Sequence, residues 1–379
     1  MKLKVGILSD YKGDFGHFIK ILSPNNDSKI KIGDYNLEFV SFDSNDNEGG
    51  GRIADCDYIV VVNKSLKNMR VKTKRVFALQ QEPYIRESKK YSIPFKNEWA
   101  IIDDYYLFCD VVFAFNDELF KDKNLIEESP KTFVKNNTTF IKHHPALYFC
   151  FGNVPFDTLC KMPPPKKTKE MSCIASFDKK AFYGHLDRIK FVTALKKSNI
   201  GKRIDFFGNK TEFELQEKKD GILPYKYTIA IENNSQNDYV SEKIMDSYLG
   251  YSIPIYFGAS NVDEYFPKNS FIKIDIYNLQ DSLNLIENIL DSNFYETNFD
   301  ALLEARKKVL YDYSMLYSLS KNIINDAKSH YDNPKRDVLI PRYKRSFKYL
   351  LKYYYQAIFY GLLKILTNGE GKNKLKDLS

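Results

Sequence analysis

Residues able to hold an anion gather between Tyr227 and Asp275. There Glu232-Asn233 follows an apolar run, and Tyr239-Val240-Ser241-Glu242-Lys243 leads into an amphipathic one. The run Tyr227 to Ile231 predicts a buried strand, and a helix is expected to open near Ser241-Glu242-Lys243. The first N–H groups of a helix have no partner within it, so they and the helix dipole favour an anion such as phosphate. Lys243 adds a full positive charge. A second short strand, Ser252 to Phe257, ends at Gly258, whose missing side chain would let backbone approach a ligand closely. Arg188, near the start of a predicted helix His185 to Lys197, carries a planar fork that can grip two phosphate oxygens at once. Read as residues alone, these segments also describe an ordinary strand–helix–strand unit with a solvated Lys243 and Arg188.

The order of these residues resembles the family 10 fucosyltransferases, α-1,3/1,4-fucosyltransferases that use GDP-fucose. Their donor motif runs Glu-Asn, Tyr-Val-Thr-Glu-Lys, Pro-Ile/Val, Gly and Ser-Phe-Ile. Here those elements stand as Glu232-Asn233, Tyr239-Val240-Ser241-Glu242-Lys243, Pro254-Ile255, Gly258 and Ser270-Phe271-Ile272, with Ser241 in place of threonine. The resemblance implies an α/β protein of GT-B type, two Rossmann-like domains facing a cleft, with C-terminal helices. It implies an inverting transfer of L-fucose from GDP-fucose to a glycan hydroxyl. It places Asn233, Tyr239 and Glu242 at the ribose or the fucose, and Lys243 and Arg188 at the diphosphate. No cofactor is required on this reading, a divalent metal being at most stimulatory; the chain has no D-x-D motif, and Asp103-Asp104 reads as ordinary helix or loop.

An inverting transfer needs a carboxylate on the face of the sugar opposite the leaving group, to deprotonate the acceptor hydroxyl. Glu82 in Leu79-Gln80-Gln81-Glu82-Pro83 follows a predicted strand where the resembling family has such a glutamate, and Glu87 is the reserve candidate. The Gln-Glu-Pro context departs from closer family members, so a loop glutamate capping a turn before proline is the other reading. The implied acceptor is N-acetylglucosamine or glucose in lipopolysaccharide or a related surface glycan, joined in α-1,3-type linkage. Two alternatives stay open: another GDP-linked deoxysugar as donor, and a non-catalytic glycan- or nucleic-acid-binding protein.

Positioning such residues takes parallel sheets. Strands are expected at Leu3 to Leu8, Leu37 to Val40, Tyr58 to Val62, Arg75 to Leu79, Val111 to Phe115 and Thr139 to Lys142, with a polar loop from Asp43 to Gly51. They define an N-terminal α/β domain, residues 1–152, which the resemblance implies is the acceptor-binding one. A Pro-rich linker follows at 153–170, where Pro163-Pro164-Pro165 blocks helix and central strand. Strand Ser172 to Ser176 and strand Ile204 to Phe207 then begin a donor-binding domain, 171–300, and a helical region, 301–340, could cross back toward the first domain. Open parallel sheets bind ligands beyond the carboxyl ends of their strands, where Gly208, Glu232-Asn233 and Gly258 all fall.

At 379 residues the chain can bury two cores, and its net charge of +8 suits an anionic partner without choosing one. The five cysteines, mostly within apolar runs and without a C-x-x-C pair, read as reduced packing thiols. His143-His144 before Pro145 reads as a packing or turn element, not a metal site. The N-terminus lacks a long apolar run, so no signal peptide or anchor is expected. In the tail, 341–379, Phe347, Leu350, Leu351, Tyr354, Ile358, Leu362 and Ile365 form one helical face with Arg345, Lys348 and Lys352 beside it. Such a helix can lie on an anionic membrane but is too short in apolar length to cross it, or it can pack on the core. The expected location is cytoplasmic, peripheral at the inner face of the cell membrane, with a GDP-sugar and a glycan as partners and no nucleic acid.

Overall fold

A computed structural model describes residues 1–11, 13–42, 54–81, 105–115, 132–135, 137–145, 151, 153–175, 183–208 and 215–343. Glu82, Glu87, Asp103-Asp104, the Asp43 to Gly51 stretch, Cys150 and the tail from Phe347 lie outside the described residues.

The first sheet has eight strands. In chain order they are β1 (Lys2–Ser9), β2 (Lys29–Ile32), β3 (Tyr35–Ser41), β5 (Tyr58–Val62), β7 (Arg75–Leu79), β8 (Val111–Ala114), β9 (Thr132–Lys135) and β10 (Thr138–Lys142); β4 (Ala54–Asp55) and β6 (Met69–Thr73) belong elsewhere. The spatial order is β2-β3-β1-β5-β7-β8-β10-β9, with the inner strands parallel and the edge strands β2 and β9 antiparallel to their neighbours. β5 reads Tyr-Ile-Val-Val-Val and is buried at every position, the unbroken apolar pattern of a strand covered on both faces. Helix α1 (Phe15–Ile21) covers part of this sheet, capped by Asp14, whose side chain accepts from the His17 N–H.

A second sheet follows, all parallel, in the order β12-β11-β13-β14-β15: β11 (Lys169–Ile174), β12 (Ile204–Phe207), β13 (Tyr225–Ile231), β14 (Ile253–Phe257) and β15 (Ile272–Lys273). Its helices are α2 (Phe156–Lys161), α3 (Tyr183–Lys197), α4 (Glu242–Leu249), α5 (Leu279–Leu290), α6 (Phe294–Thr297), α7 (Phe299–Lys308) and α8 (Met315–His330). Two largely parallel sheets with C-terminal helices make the GT-B arrangement.

The segment expected as linker differs from a free connection. Phe156–Lys161 within it is helical, Lys169 already belongs to β11, and the irregular parts are Asn153 to Pro155 and Met162 to Thr168. That stretch is tied to the second sheet: the Lys167 ammonium donates to the carbonyls of Leu223 (2.8 Å) and Gly250 (2.6 Å), and burial pushes its pKa down to about 7. The region expected as helical through 340 instead ends in a strand, β16 (Arg336–Ile340), paired antiparallel with β6, which also pairs with β4. α8 likewise reaches the first sheet, where Asp326 accepts from Arg75 Nη2 and from the Tyr58 hydroxyl, each at 3.0 Å. Both sheets therefore belong to one compact unit, Met1–Pro341, and residues 342–379 form another.

His143 and His144, just after β10, stack at 4.3 Å between the first sheet and α8. His143 Nδ1 donates to the His144 carbonyl at 2.5 Å, and its Nε2 meets the Ser318 hydroxyl at 3.0 Å and accepts from Asn322 Nδ2 at 3.2 Å. An acceptor is wanted at Nε2, so the ring is neutral, and burial holds its pKa down at about 4. The unfolded imidazole titrates near 6.5, so between the two values the unfolded chain binds more protons and stability falls as pH falls. We expect His143 to cost about 1–2 kcal/mol of unfolding free energy between about pH 7 and about pH 5. Urea titrations at both values check this: His143→Gln should flatten that part of the profile, and an unchanged slope would refute the assignment.

Candidate active site

β13 delivers Glu232 to the carboxyl edge of the second sheet, its N–H still donating to the Phe257 carbonyl of β14 at 2.7 Å. Glu232 is fully buried. A carboxylate there must be matched by donors, and the chain supplies them where α4 begins. Ser241 donates its N–H to Glu232 Oε1 at 3.0 Å and its hydroxyl to Oε2 at 2.6 Å, while the Lys243 ammonium stands 3.2 Å from Oε2. Ser241 is also the helix cap, accepting from the Lys243 N–H.

Lys243 is shared more widely than a free phosphate ligand would be. Its ammonium donates to Glu242 Oε1 at 3.0 Å and to the Ser241 hydroxyl oxygen at 3.2 Å, besides Glu232. Three N–H bonds thus face three acceptors. Burial disfavours the charged amine, but Glu232 and Glu242 together hold its pKa well above the ordinary lysine range. For Glu242 burial works against ionisation too, yet Lys243 and Lys218 keep its pKa at about 2. Glu232 shows the opposite balance: burial outweighs Lys243 and its pKa is raised.

Arg188, on α3, joins the same cluster. It is buried, its Nη1 donates to the Ile231 carbonyl at 3.5 Å, and burial lowers its pKa while Glu232 and Glu242 oppose that. The structure therefore brings Arg188, Glu242 and Lys243 together around Glu232. Asn233, half-buried, directly follows Glu232. Tyr239 is buried, with its ring 5.2 Å from that of Phe115, just beyond β8 of the first sheet. Glu82 and Glu87 lie outside the described residues.

Gly258 stands beside the buried carboxylate. A Cβ there would meet the Tyr256 hydroxyl and Glu232 Cγ, so the glycine makes room for the buried carboxylate. Gly208 is alike: its φ is +148°, and a Cβ would run into the Ala175 carbonyl beyond β11.

Sequence reasoning missed Asp246 and Lys218 in the cluster and Asp238 beside it. Asp246, fully buried on α4, pairs with Lys218 at 2.6 Å. The signal was present in Glu242-Lys243-Ile244-Met245-Asp246-Ser247-Tyr248-Leu249, where one carboxylate sits among apolar positions one turn after Glu242. Asp238 adopts φ +63° and accepts from Asn261 Nδ2 (2.9 Å) and the Tyr265 hydroxyl (2.7 Å); Lys142 of β10 lies 3.2 Å away. Among the described residues no group of three or more His, Cys, Asp or Glu side chains is placed to hold a metal ion.

Residues 164–312 match the family described as Glycosyltransferase family 10 (fucosyltransferase) C-term. They form a family 10 glycosyltransferase domain. The alpha-(1,3)-fucosyltransferase FucT of Helicobacter pylori is 28% identical over 166 residues, which cover 41% of this chain and 32% of that protein. An alpha-(1,4)-fucosyltransferase of Arabidopsis thaliana is 48% identical over 48 residues, 13% of this chain and 12% of the relative. The chain thus spans about a third or less of the length of these curated relatives. In fold alone it is similar to the N-terminal domain of a Candida albicans trehalose-6-phosphate phosphatase, with TM-score 0.50 and 9% identity, covering 87% of this chain and 97% of that one. Every described candidate, Arg188, Asn233, Tyr239, Glu242 and Lys243, falls inside the family 10 domain, and Glu82 falls outside it.

Lys218→Ala removes the cation 2.6 Å from the buried Asp246 carboxylate and should destabilise the protein by about 2–4 kcal/mol, since breaking a buried ion pair from one side costs more than breaking an exposed one. Asp246→Asn should cost less. Chemical denaturation measures both, and a Lys218→Ala protein as stable as wild type would show the pair to be dispensable.

Proposed function

We propose that this protein is an inverting fucosyltransferase that moves L-fucose from GDP-fucose to a hydroxyl of a glycan. The observation that carries this reading is the convergence of Arg188 and Lys243, beside the first turn of α4, at the carboxyl end of β13 within the family 10 domain. Two cations and a helix N-terminus at a sheet's carboxyl edge suit a diphosphate. The names of the similar proteins, an α-(1,3)- and an α-(1,4)-fucosyltransferase, favour fucose and an α-1,3-type linkage. The acceptor we propose is N-acetylglucosamine or glucose in lipopolysaccharide or a related surface glycan.

In the proposed reaction the acceptor hydroxyl gives its proton to the Glu82 carboxylate, its oxygen attacks the anomeric carbon from the face opposite GDP, and the bond to the β-phosphate oxygen breaks. Charge grows on the leaving GDP, and Arg188 and Lys243 stabilise it there, so no metal ion is required. Asn233, Tyr239 and Glu242 would orient ribose and sugar. The basic aromatic tail would hold the enzyme at the inner face of an anionic membrane, near a lipid-linked acceptor.

A screen of sugar nucleotides for thermal stabilisation tests the donor, because a ligand that binds the native state raises its melting temperature. GDP and GDP-fucose should stabilise and UDP-sugars should not; stabilisation by a different GDP-deoxysugar alone would move the assignment to that donor. Lys243→Ala and Arg188→Ala should each lower donor kcat/KM at least about tenfold, given about 1.5–3 kcal/mol for a charge-assisted contact, and Lys243→Arg should restore little. Values within about threefold of wild type for both would exclude them from the diphosphate. Glu82→Gln should keep GDP affinity while losing most transfer, about 10²- to 10⁴-fold. Calorimetry decides it: loss of GDP binding along with transfer would make Glu82 part of the donor site, and survival of activity would shift attention to Glu87.

A further inference from the structure

We propose that Glu232 is a positioning residue of the donor site, which acts by aiming the Lys243 ammonium at the place where the diphosphate docks. This rests on the reading that the site takes a GDP-linked donor. Glu232 has no solvent around it and cannot swing away: its Cγ lies against the space kept open at Gly258, and both its oxygens are fixed by Ser241. Lys243 differs, since its side chain is 23% exposed and hangs on a flexible stem. A rigid carboxylate and a movable ammonium 3.2 Å apart form a directed pair in which the buried member sets the position of the other.

The second carboxylate on Lys243 does not do this job. Glu242 is the first residue of α4, its carboxyl is about as exposed as Lys243 itself, and it draws on Lys218 as well. Ser241 is neutral and its hydroxyl hydrogen is committed to Glu232. All three ammonium hydrogens are engaged, so an incoming phosphate must take one of these contacts. Glu242, whose side chain is partly exposed, is the one that can yield while the fully buried Glu232 keeps its hold. The ammonium then bridges a fixed carboxylate behind and a phosphate oxygen in front.

A carboxylate acting only through Lys243 has no effect on ligand affinity once Lys243 is gone, and a double-mutant cycle reads this directly. GDP affinity is measured by calorimetry for wild type, Glu232→Gln, Lys243→Ala and the double variant, each first checked for a cooperative melt. Glutamine keeps the shape but turns an NH2 donor toward the ammonium or the Ser241 N–H. We expect Glu232→Gln to weaken GDP at least tenfold in the wild-type background and less than twofold in the Lys243→Ala background. Where Glu232→Gln does not fold, Glu232→Asp, which keeps the charge one methylene short, replaces it in the same cycle with a loss of at least threefold confined to the Lys243 background. Equal losses in both backgrounds would mean that Glu232 merely holds the loop together, and would overturn the proposal. A wild-type protein that binds no GDP would instead take down the donor reading itself, an outcome seen before any variant is compared.

Discussion

A carboxylate cannot be buried alone, and the second sheet of this molecule is arranged around that constraint. Glu232 reaches the sheet edge with no water available, so the next segment of chain must return donors to it within a few residues. Ser241 does so with N–H and hydroxyl, Lys243 with its ammonium, and in doing so they fix where α4 begins. The remaining members follow from the same rule. Glu242 balances Lys243, Lys218 balances Asp246, and Gly258 gives up its side chain so that the Glu232 stem fits. Exposed pairs such as Lys273–Asp263 or Lys321–Asp312 carry little weight beside these, since solvated ion pairs contribute at most about 1 kcal/mol, whereas breaking a buried one costs several.

The first sheet is bound to this arrangement by contacts that sequence proximity does not suggest. Lys142, at the end of β10, reaches Asp238, and Asp238 stands next to Tyr239 in the turn that precedes α4. Asn261 and Tyr265 hold the same carboxylate from the far side of β14. The turn carrying Tyr239 is thus gripped by both sheets, and the Phe115 ring packs on Tyr239 itself. At the opposite end α8 returns to the first sheet through Asp326, while β16 pairs with β6 in a separate three-stranded sheet. The placing of the turn before α4 is consequently a property of the whole unit, Met1–Pro341, and not of residues 164–312 alone.

The central parallel strands were legible because burial on both faces leaves an unmistakable apolar run: β5, β7 and the latter part of β13 stand where the pattern places them. The strands that escaped notice carry mixed sequence. β2 reads Lys-Ile-Lys-Ile, β6 Met-Arg-Val-Lys-Thr and β16 Arg-Asp-Val-Leu-Ile, with charges on the exposed positions. Short alternations of this kind gain their pairing from a partner far away in the chain, Met69 to Thr73 with Arg336 to Ile340, and no local signal announces it. In the site, residue types and order located Arg188, Glu242 and Lys243, but the pattern shows which side chains are charged and not which charges face each other. Glu232 read as one letter of a motif; its burial and its hold on Lys243 are tertiary facts. The two glycines show the same limit, since a missing side chain signals a close approach without saying what approaches.

A site whose cations are already matched has a further physical consequence. Arg188, Lys218 and Lys243 stand against Glu232, Glu242 and Asp246, so the cluster is close to neutral although the chain as a whole carries +8. A neutral cluster exerts little long-range pull on anions, which leaves the excess positive charge elsewhere to act on other surfaces. An anion gains here only if it can displace an existing acceptor and then be held at close range by several groups at once. A chloride meets few of these groups at once, whereas an anion with several oxygens, such as the diphosphate of the proposed donor, can replace Glu242 at Lys243 and also meet Arg188 and the first turn of α4. On the proposed reading the internal ion pairs thus turn a general attraction for negative charge into a preference for an anion that makes several close contacts, at the cost of some affinity.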